Sequence, residues 1–208
     1  KENIRQIRKD SEDIIKGELI GDFRFEEFLL LAQNALGSMY SNYNPFDIAP
    51  DQFLKFDFII YNQIVDVFFP EISVAPNTRI KGDIKANENQ LKLKISSPKI
   101  TAYGNIIDSL SLNTNNKRKL YDTSLSAKSI ETPYYKLSNL LLFNKTINDT
   151  LFFKSAFKGG LSEKEVFNLD FYFTINKEKK SVIGIEKSTF NYRGNLWDLN
   201  PKNNTEDR

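Results

Sequence analysis

From Ile15 onward, apolar and small residues fall at every second position: Ile15, Gly17, Leu19, Gly21, Phe23 and Phe25 on one side, with Lys16, Glu18, Asp22 and Arg24 on the other and Ile20 the exception. A period of two is the mark of a half-buried β-strand. The spacing then changes to three and four through Phe28, Leu31, Ala32, Ala35, Leu36 and Met39, with Glu26 and Glu27 in the first turn and Gly37 weakening the end. This predicts an amphipathic helix over 26–40, its two carboxylates favoured by the positive end of the helix dipole. Turn chemistry at Ser41, Asn42, Tyr43, Asn44 and Pro45 precedes a second alternation, Leu54, Phe56, Phe58 and Ile60 against Lys55 and Asp57. Asn62 is placed to cap a short helix over 62–69 that carries Ile64, Val65, Phe68 and Phe69 and ends at Pro70.

Beyond Pro76 the chain reads as a meander of short strands between polar turns. Ile80, Gly82 and Ile84 pair with Leu91, Leu93 and Ile95 across Asn87, Glu88, Asn89 and Gln90, and Pro98 closes that run. Further strands are predicted over 106–113, 123–129, 134–144, 149–158, 166–176, 181–186 and 188–192. The sharpest alternation sets Phe167, Leu169, Phe171, Phe173 and Ile175 against Asn168, Asp170 and Thr174. Lys158, Gly159 and Gly160, and the polar stretch Asn176–Lys180, have the composition of hairpin loops. No linker rich in Pro, Gly or Ser divides the chain, so residues 1–208 read as one β-rich unit.

Composition narrows the chemistry. With 40% hydrophobic and 13% aromatic residues the chain has material for a sizeable core. Lys and Arg number 29 against 27 Asp and Glu, a net charge of +2. That balance lacks the one-sided positive field nucleic acid requires. There is no His and no Cys, which removes the commonest general base and metal ligand, thiolate nucleophiles and disulfides. No cofactor or metal is implied, and the reading is not enzymatic. No stretch approaches the roughly 18 apolar residues of a membrane-spanning helix, and the residues from Lys1 lack a leader pattern. The expectation is an internal piece of a larger protein whose targeting and anchoring segments lie elsewhere.

Individual motifs add little. Gly159-Gly160 lacks the Lys-Ser/Thr and helix of a phosphate-binding loop. The glycosylation-type triplets at Asn144 and Asn148 are what an Asn-rich chain produces by chance. Lys117-Arg118-Lys119 reads as a solvated turn, and Trp197 as packing a core or sheet end. The collective feature is more informative: many strands are apolar on one side and charged on the other, with little helix to cover the apolar side. Such a sheet folds on another sheet, closes on itself, or leaves a groove.

Several strings in the chain resemble the TamB (translocation and assembly module) family in its Bacteroidetes form. They are Phe56-Asp57-Phe58 through Val67-Phe68-Phe69-Pro70-Glu71, then Ala75-Pro76-Asn77-Thr78 with Lys81-Gly82-Asp83, and Ser97-Pro98-Lys99-Ile100. Thr132-Pro133-Tyr134-Tyr135-Lys136-Leu137-Ser138, Asn148-Asp149-Thr150-Leu151-Phe152-Phe153, Phe157-Lys158-Gly159-Gly160, Phe167-Asn168-Leu169 and the closing stretch 190–199 complete the resemblance, which runs from about Gly17 to about Asn200. The resemblance implies the AsmA-like plan: an inner-membrane anchor on the parent protein and a long periplasmic, antiparallel sheet curled like a taco into an elongated apolar groove. It further implies work with a BamA-type outer-membrane partner and passage of phospholipid between the two membranes.

In that plan the groove is lined by Phe56, Phe58, Ile60, Ile84, Leu91, Leu93, Ile95, Leu151, Phe153, Phe167, Leu169, Phe171 and Phe173, which shield acyl chains. The helix over 26–40 either plugs the groove edge or simply packs on the sheet. The competing expectation is a spacer and docking module with a dry core and an exposed edge for partner strands. A carbohydrate-active enzyme needs two facing carboxylates in a polar cleft, and nothing in the sequence beyond Asp and Glu themselves points there.

Overall fold

The computed structural model describes residues 6–9, 12–37, 44–61, 65, 70–88, 90–117, 122–160 and 163–200. The chain is mainly β, and its strands form one antiparallel sheet that does not close on itself. In chain order the strands are β1 (Gln6–Lys9), β2 (Glu12–Asp22), β3 (Phe53–Ile60), β4 (Ile72–Val74), β5 (Thr78–Lys85), β6 (Gln90–Ala102) and β7 (Asn105–Asn115). They continue as β8 (Thr123–Glu131), β9 (Lys136–Ile147), β10 (Thr150–Gly159), β11 (Glu165–Ile175), β12 (Ser181–Ile185), β13 (Ser188–Tyr192) and β14 (Asn195–Leu199). The spatial order is β1-β2-β3-β5-β6-β7-β8-β9-β10-β11-β13-β14, with β4 beside β6 and β12 beside β11. Most neighbours in space are neighbours in sequence, the arrangement that short polar turns favour, and the exceptions are β3–β5, β4–β6 and β11–β13.

The predicted strands are present, several of them longer than predicted. The pairing of Ile80, Gly82 and Ile84 with Ile95, Leu93 and Leu91 is reproduced residue for residue. Pro98, expected to end its strand, instead lies inside β6. It sits where β6 changes neighbour, from β5 through Ser96 to β4 from Ile100 onward. A residue with no N–H is tolerated at such a break in the ladder. The break continues across the sheet: Pro98 stands opposite Ser109, Lys128 opposite Asn139, and the β9–β10 register slips between Ala156 and Lys158. Ser109 and Asn139 both take left-handed φ, 52° and 54°. Irregularities aligned in this way are how a sheet is bent.

The helix is shorter than its periodicity. Phe25–Glu27 form a 3-10 turn and α1 spans Phe28–Gly37, while residues 38–43 lie outside those described. The strand alternation that included Phe23 and Phe25 stops at Asp22, and Phe25 is exposed. The expected helix over 62–69 falls on residues that, Val65 apart, lie outside the described set, as do Arg118 and Lys119 of the basic turn. The sequence pattern above marks none of β1, β4 and β14 as a strand.

The most deeply buried cluster is local. Leu31 and Ala35 of α1 meet Leu54, Ile84 and Leu91 on β3, β5 and β6, with Leu19, Phe23, Ile48, Phe56, Ala86 and Leu93 around them. Polar side chains fasten this cap. The Glu27 carboxylate accepts the Ala49 N–H at 2.9 Å and the Gln52 amide at 2.7 Å. The Asn34 side chain donates to the Phe46 carbonyl and accepts its N–H, both at 2.8 Å. Glu27 is therefore a latch, with its carboxyl held below the ordinary value chiefly by the Ala49 N–H.

Candidate functional site

Residues opposite one another in a sheet project from the same face, so the register sorts side chains that sequence alone leaves unassigned. One row runs through successive partners Leu19, Phe56, Gly82, Leu93, Thr114, Thr123, Asn144, Phe153, Phe171 and Ile185, from β2 to β12. The adjacent row runs through Gly17, Phe58, Ile80, Ile95, Leu112, Leu125, Leu142, Ser155 and Leu169. Leu54, Ile84 and Leu91 make a third short row at one margin, and Leu151 with Phe173 another. Ile60 and Phe167 keep the same parity on β3 and β11. All the residues singled out from the sequence as a lining therefore share one face.

That face divides into two aromatic-rich ends joined by an aliphatic middle. At the first end, Phe58 stands opposite Gly17 and Phe56 opposite Gly82. A Cβ on Gly17 would overlap the Phe58 side chain and the Asp57 carbonyl, and one on Gly82 would overlap the Phe56 ring. Both rings therefore lie down over a neighbouring glycine, which keeps them close to the sheet. At the far end the rings stand side by side: Phe153 and Phe171 at 4.8 Å, and Phe157, Phe167, Phe190 and Trp197 in a stack at 4.7, 5.8 and 5.9 Å. The middle is Ile95, Leu112, Leu125 and Leu142. Of the predicted lining, Ile60, Ile84, Leu91 and Leu151 are buried and the others are half-buried.

Sequence reasoning passed over Ile80, Leu112, Leu125, Leu142, Phe157 and Phe190 as members of this face. Their alternation was visible, but which of a strand's two sides faces the others follows only from pairing. The expectation that Trp197 packs a sheet end is met in position, since it lies on the last strand. Its side chain is nevertheless half exposed.

Polar groups on the same face are tied into the framework. Thr114 and Asn144 are buried; the Thr114 and Thr123 hydroxyls lie 3.2 Å apart, and the Asn144 amide donates to the Phe152 carbonyl. Buried Asp122 beside them pairs with Lys145 at 2.8 Å and accepts the Thr146 N–H at 2.7 Å. Asn144 is thus unsuited to be a glycan acceptor. Tyr135 donates to Glu165, and burial together with that carboxylate pushes its phenol up to about 12.

The opposite face is charged along β3, β5 and β6. Asp57 receives two bonds of 2.7 Å from Arg79 and one of 3.0 Å from Lys81. The Arg79 guanidinium is the main cause of an Asp57 carboxyl held at about 2. A pocket between α1 and the 45–50 loop, touched by Leu31, Ile48 and Ile84, belongs to the cap and reaches none of β7–β14. Among the described residues no three Asp or Glu side chains gather as a metal site, and no helix is long and apolar enough to cross a membrane.

No family model, curated protein or solved structure matches this chain.

Proposed function

We propose that this chain is a segment of a periplasm-spanning envelope protein whose sheet curls into an apolar groove that shields phospholipid acyl chains in passage between the inner and outer membranes. The observation that carries this reading is the unbroken run of side chains from Phe58 through Ile80, Ile95, Leu112 and Leu125 to Leu142 on one face. Among the described residues the cap formed by α1 centres on Leu54, Ile84 and Leu91, with Leu19, Phe56 and Leu93 beside them, at one end of that face. The chain exposes 14269 Å², where a compact protein of 24.1 kDa exposes roughly 10,000 Å². Among the described residues, α1 and the Phe25–Glu27 turn cover one end of the sheet, and a sheet left largely uncovered exposes more surface than a compact fold.

In this reading the row from Phe58 to Leu142, continued on the same face by Leu169 and Phe171, is the acyl path. Each methylene withdrawn from water contributes about 0.8 kcal/mol, so a chain lying along many strands is held in sum and by no single contact. Sliding along the row then exchanges one contact for an equivalent one. The headgroup stays outside, and Thr114, Thr123 and Asn144 give one margin of the path a polar border. The parent protein is anchored in the inner membrane, and a BamA-type outer-membrane protein is its partner in assembling outer-membrane proteins. No nucleic acid and no cofactor take part.

The test is native mass spectrometry with lipid extraction on the chain purified from bacterial cells without detergent. Phospholipid is expected to co-purify, and to be lost when Leu169 and Phe171 are both changed to Asp while circular dichroism reports an intact sheet. A lipid-free, well-folded protein would move the assignment to the alternative, a spacer and docking module that binds no lipid.

A further inference from the structure

The apolar face does not stop at the break marked by Pro98, Ser109 and Asn139. Gly159 shows where it resumes: a Cβ there would overlap the Tyr135 phenol and crowd the Phe167 ring, so Gly159 faces the same way as Phe167. Its ladder partners are Leu137 on β9 and Glu165 on β11, and Leu137 leads on through Ile130 and Ile107 to Ile100. Opposed residues share a face, so a second aliphatic row lies alongside the first. On β6 to β9 it is reached in a step of three residues, as from Leu110 to Ile107, because the break adds one to the alternation. The β11 member of this row is a carboxylate.

Glu165 is out of keeping with its neighbours. Among the described residues, in the rows that pairing assigns to this face from β3 to β11, it is the one charged side chain. It is half-buried, and among the described residues Tyr135 is its one side-chain donor and no Lys or Arg pairs with it. Leu161 and Ser162, the nearest residues in the chain outside the described set, carry no charge. Gly159 under the Tyr135 phenol and Gly160 beside the Glu165 carboxylate leave room for the pair. On β13, Tyr192 follows the Asn191 that pairs with Val166, and the Arg193 guanidinium lies over the Tyr192 ring, 5.3 Å from its centroid. An anion bonded to a phenol and a cation laid on a ring thus stand at the same end of one apolar face.

We infer that Glu165 and Tyr135 form a headgroup subsite that takes the primary ammonium of an ethanolamine-type phospholipid, whose acyl chains lie along Leu137, Ile130, Ile107 and Ile100. The inference rests on the acyl-chain reading and adds a selectivity to it. A half-buried carboxylate without a cation favours an ammonium over a hydroxyl headgroup, because the ammonium both balances the charge and donates a charge-assisted hydrogen bond. Tyr135 takes up Oε2 of the carboxylate and leaves Oε1 to the ligand. Arg193 supplies the opposite charge for the lipid phosphate, and the headgroup sits at the margin of the face, where β10 ends and β11 begins.

In the test, the chain is equilibrated with vesicles holding equal parts of ethanolamine and glycerol phospholipids with identical acyl chains, then separated, and its lipid is counted by mass spectrometry. We expect roughly fivefold enrichment of the ethanolamine lipid, the upper range for a partly exposed ion pair. Glu165→Gln should abolish the enrichment while total bound lipid and circular dichroism stay unchanged, and Glu165→Asp should retain part of it. Glu163→Gln removes the same charge from a neighbouring exposed position and should leave the enrichment intact. Lipid bound without headgroup preference, or a preference that survives Glu165→Gln, would overturn the subsite and leave the acyl-chain reading standing. Equal losses from Glu163→Gln and Glu165→Gln would also overturn it, by making the selectivity a matter of net charge. A folded chain that binds no lipid would overturn both.

Discussion

Phe153 and Phe171 face each other across β10 and β11 with ring centroids 4.8 Å apart and planes 12° from parallel. They are half-buried, and both lie in the row that continues through Asn144 to Leu93 and Phe56. Among the described residues no second sheet faces this pair, so such lateral contacts stand in for the packing that a sandwich obtains from the opposing sheet.

If so, the pair should couple. A double-mutant cycle of Phe153→Ala and Phe171→Ala, read by urea unfolding, is expected to give a coupling of about 1 kcal/mol. Additive effects would mean that each ring contributes only through its own area withdrawn from water.

At the other end of the face the glycines matter more than their size indicates. Gly82→Ala is expected to destabilise the sheet by about 1–3 kcal/mol, because the new methyl displaces the Phe56 ring. In a Phe56→Ala background the same change should cost little. An undiminished cost there would place the strain in the backbone.

The cap makes a separate prediction. Leu31 is 1% exposed against Leu54, Ile84 and Leu91, so Leu31→Ala should cost about 2–4 kcal/mol. Glu27→Gln should loosen the 45–50 loop, seen as faster amide exchange at Ala49, whose N–H the carboxylate now accepts. Unchanged exchange at Ala49 would show that the loop is held by Asn34 and the apolar contacts alone.

Asp57 sets a pH dependence. Its carboxyl is lowered from 3.8 to about 2 by Arg79 first and Lys81 next. A depressed folded-state value means the unfolded chain binds the proton at higher pH, so the pair's contribution is complete above about pH 4. It should fade as pH falls toward 2. Asp57→Asn is expected to flatten the wild-type loss of urea resistance over that interval; an unchanged slope would assign the loss to other carboxylates.

Much of the architecture was legible in the chain. The period-two runs at Leu54–Ile60, Ile80–Ile84, Leu91–Ile95 and Phe167–Ile175 identified strands, and Asn- and Gly-rich punctuation placed the turns between them. Side chains that share a face could be grouped strand by strand because within a strand alternation alone decides which go together. Local patterning failed where a neighbour decided the outcome. Pro98 reads as a terminator, yet it is accommodated because β6 trades β5 for β4 at that point.

The sequence by itself therefore determined that this is a β meander with a short amphipathic helix, and which residues alternate within each strand. Only the tertiary structure decided that Phe56, Leu93, Phe153 and Phe171 lie in one row, that Phe56 and Phe58 lie over glycines, and that Trp197 stacks on Phe190. Strand register is set by backbone hydrogen bonds between segments whose side chains give no local sign of their partners. A shift of one residue in any of those pairings would turn that strand's side chains to the other face.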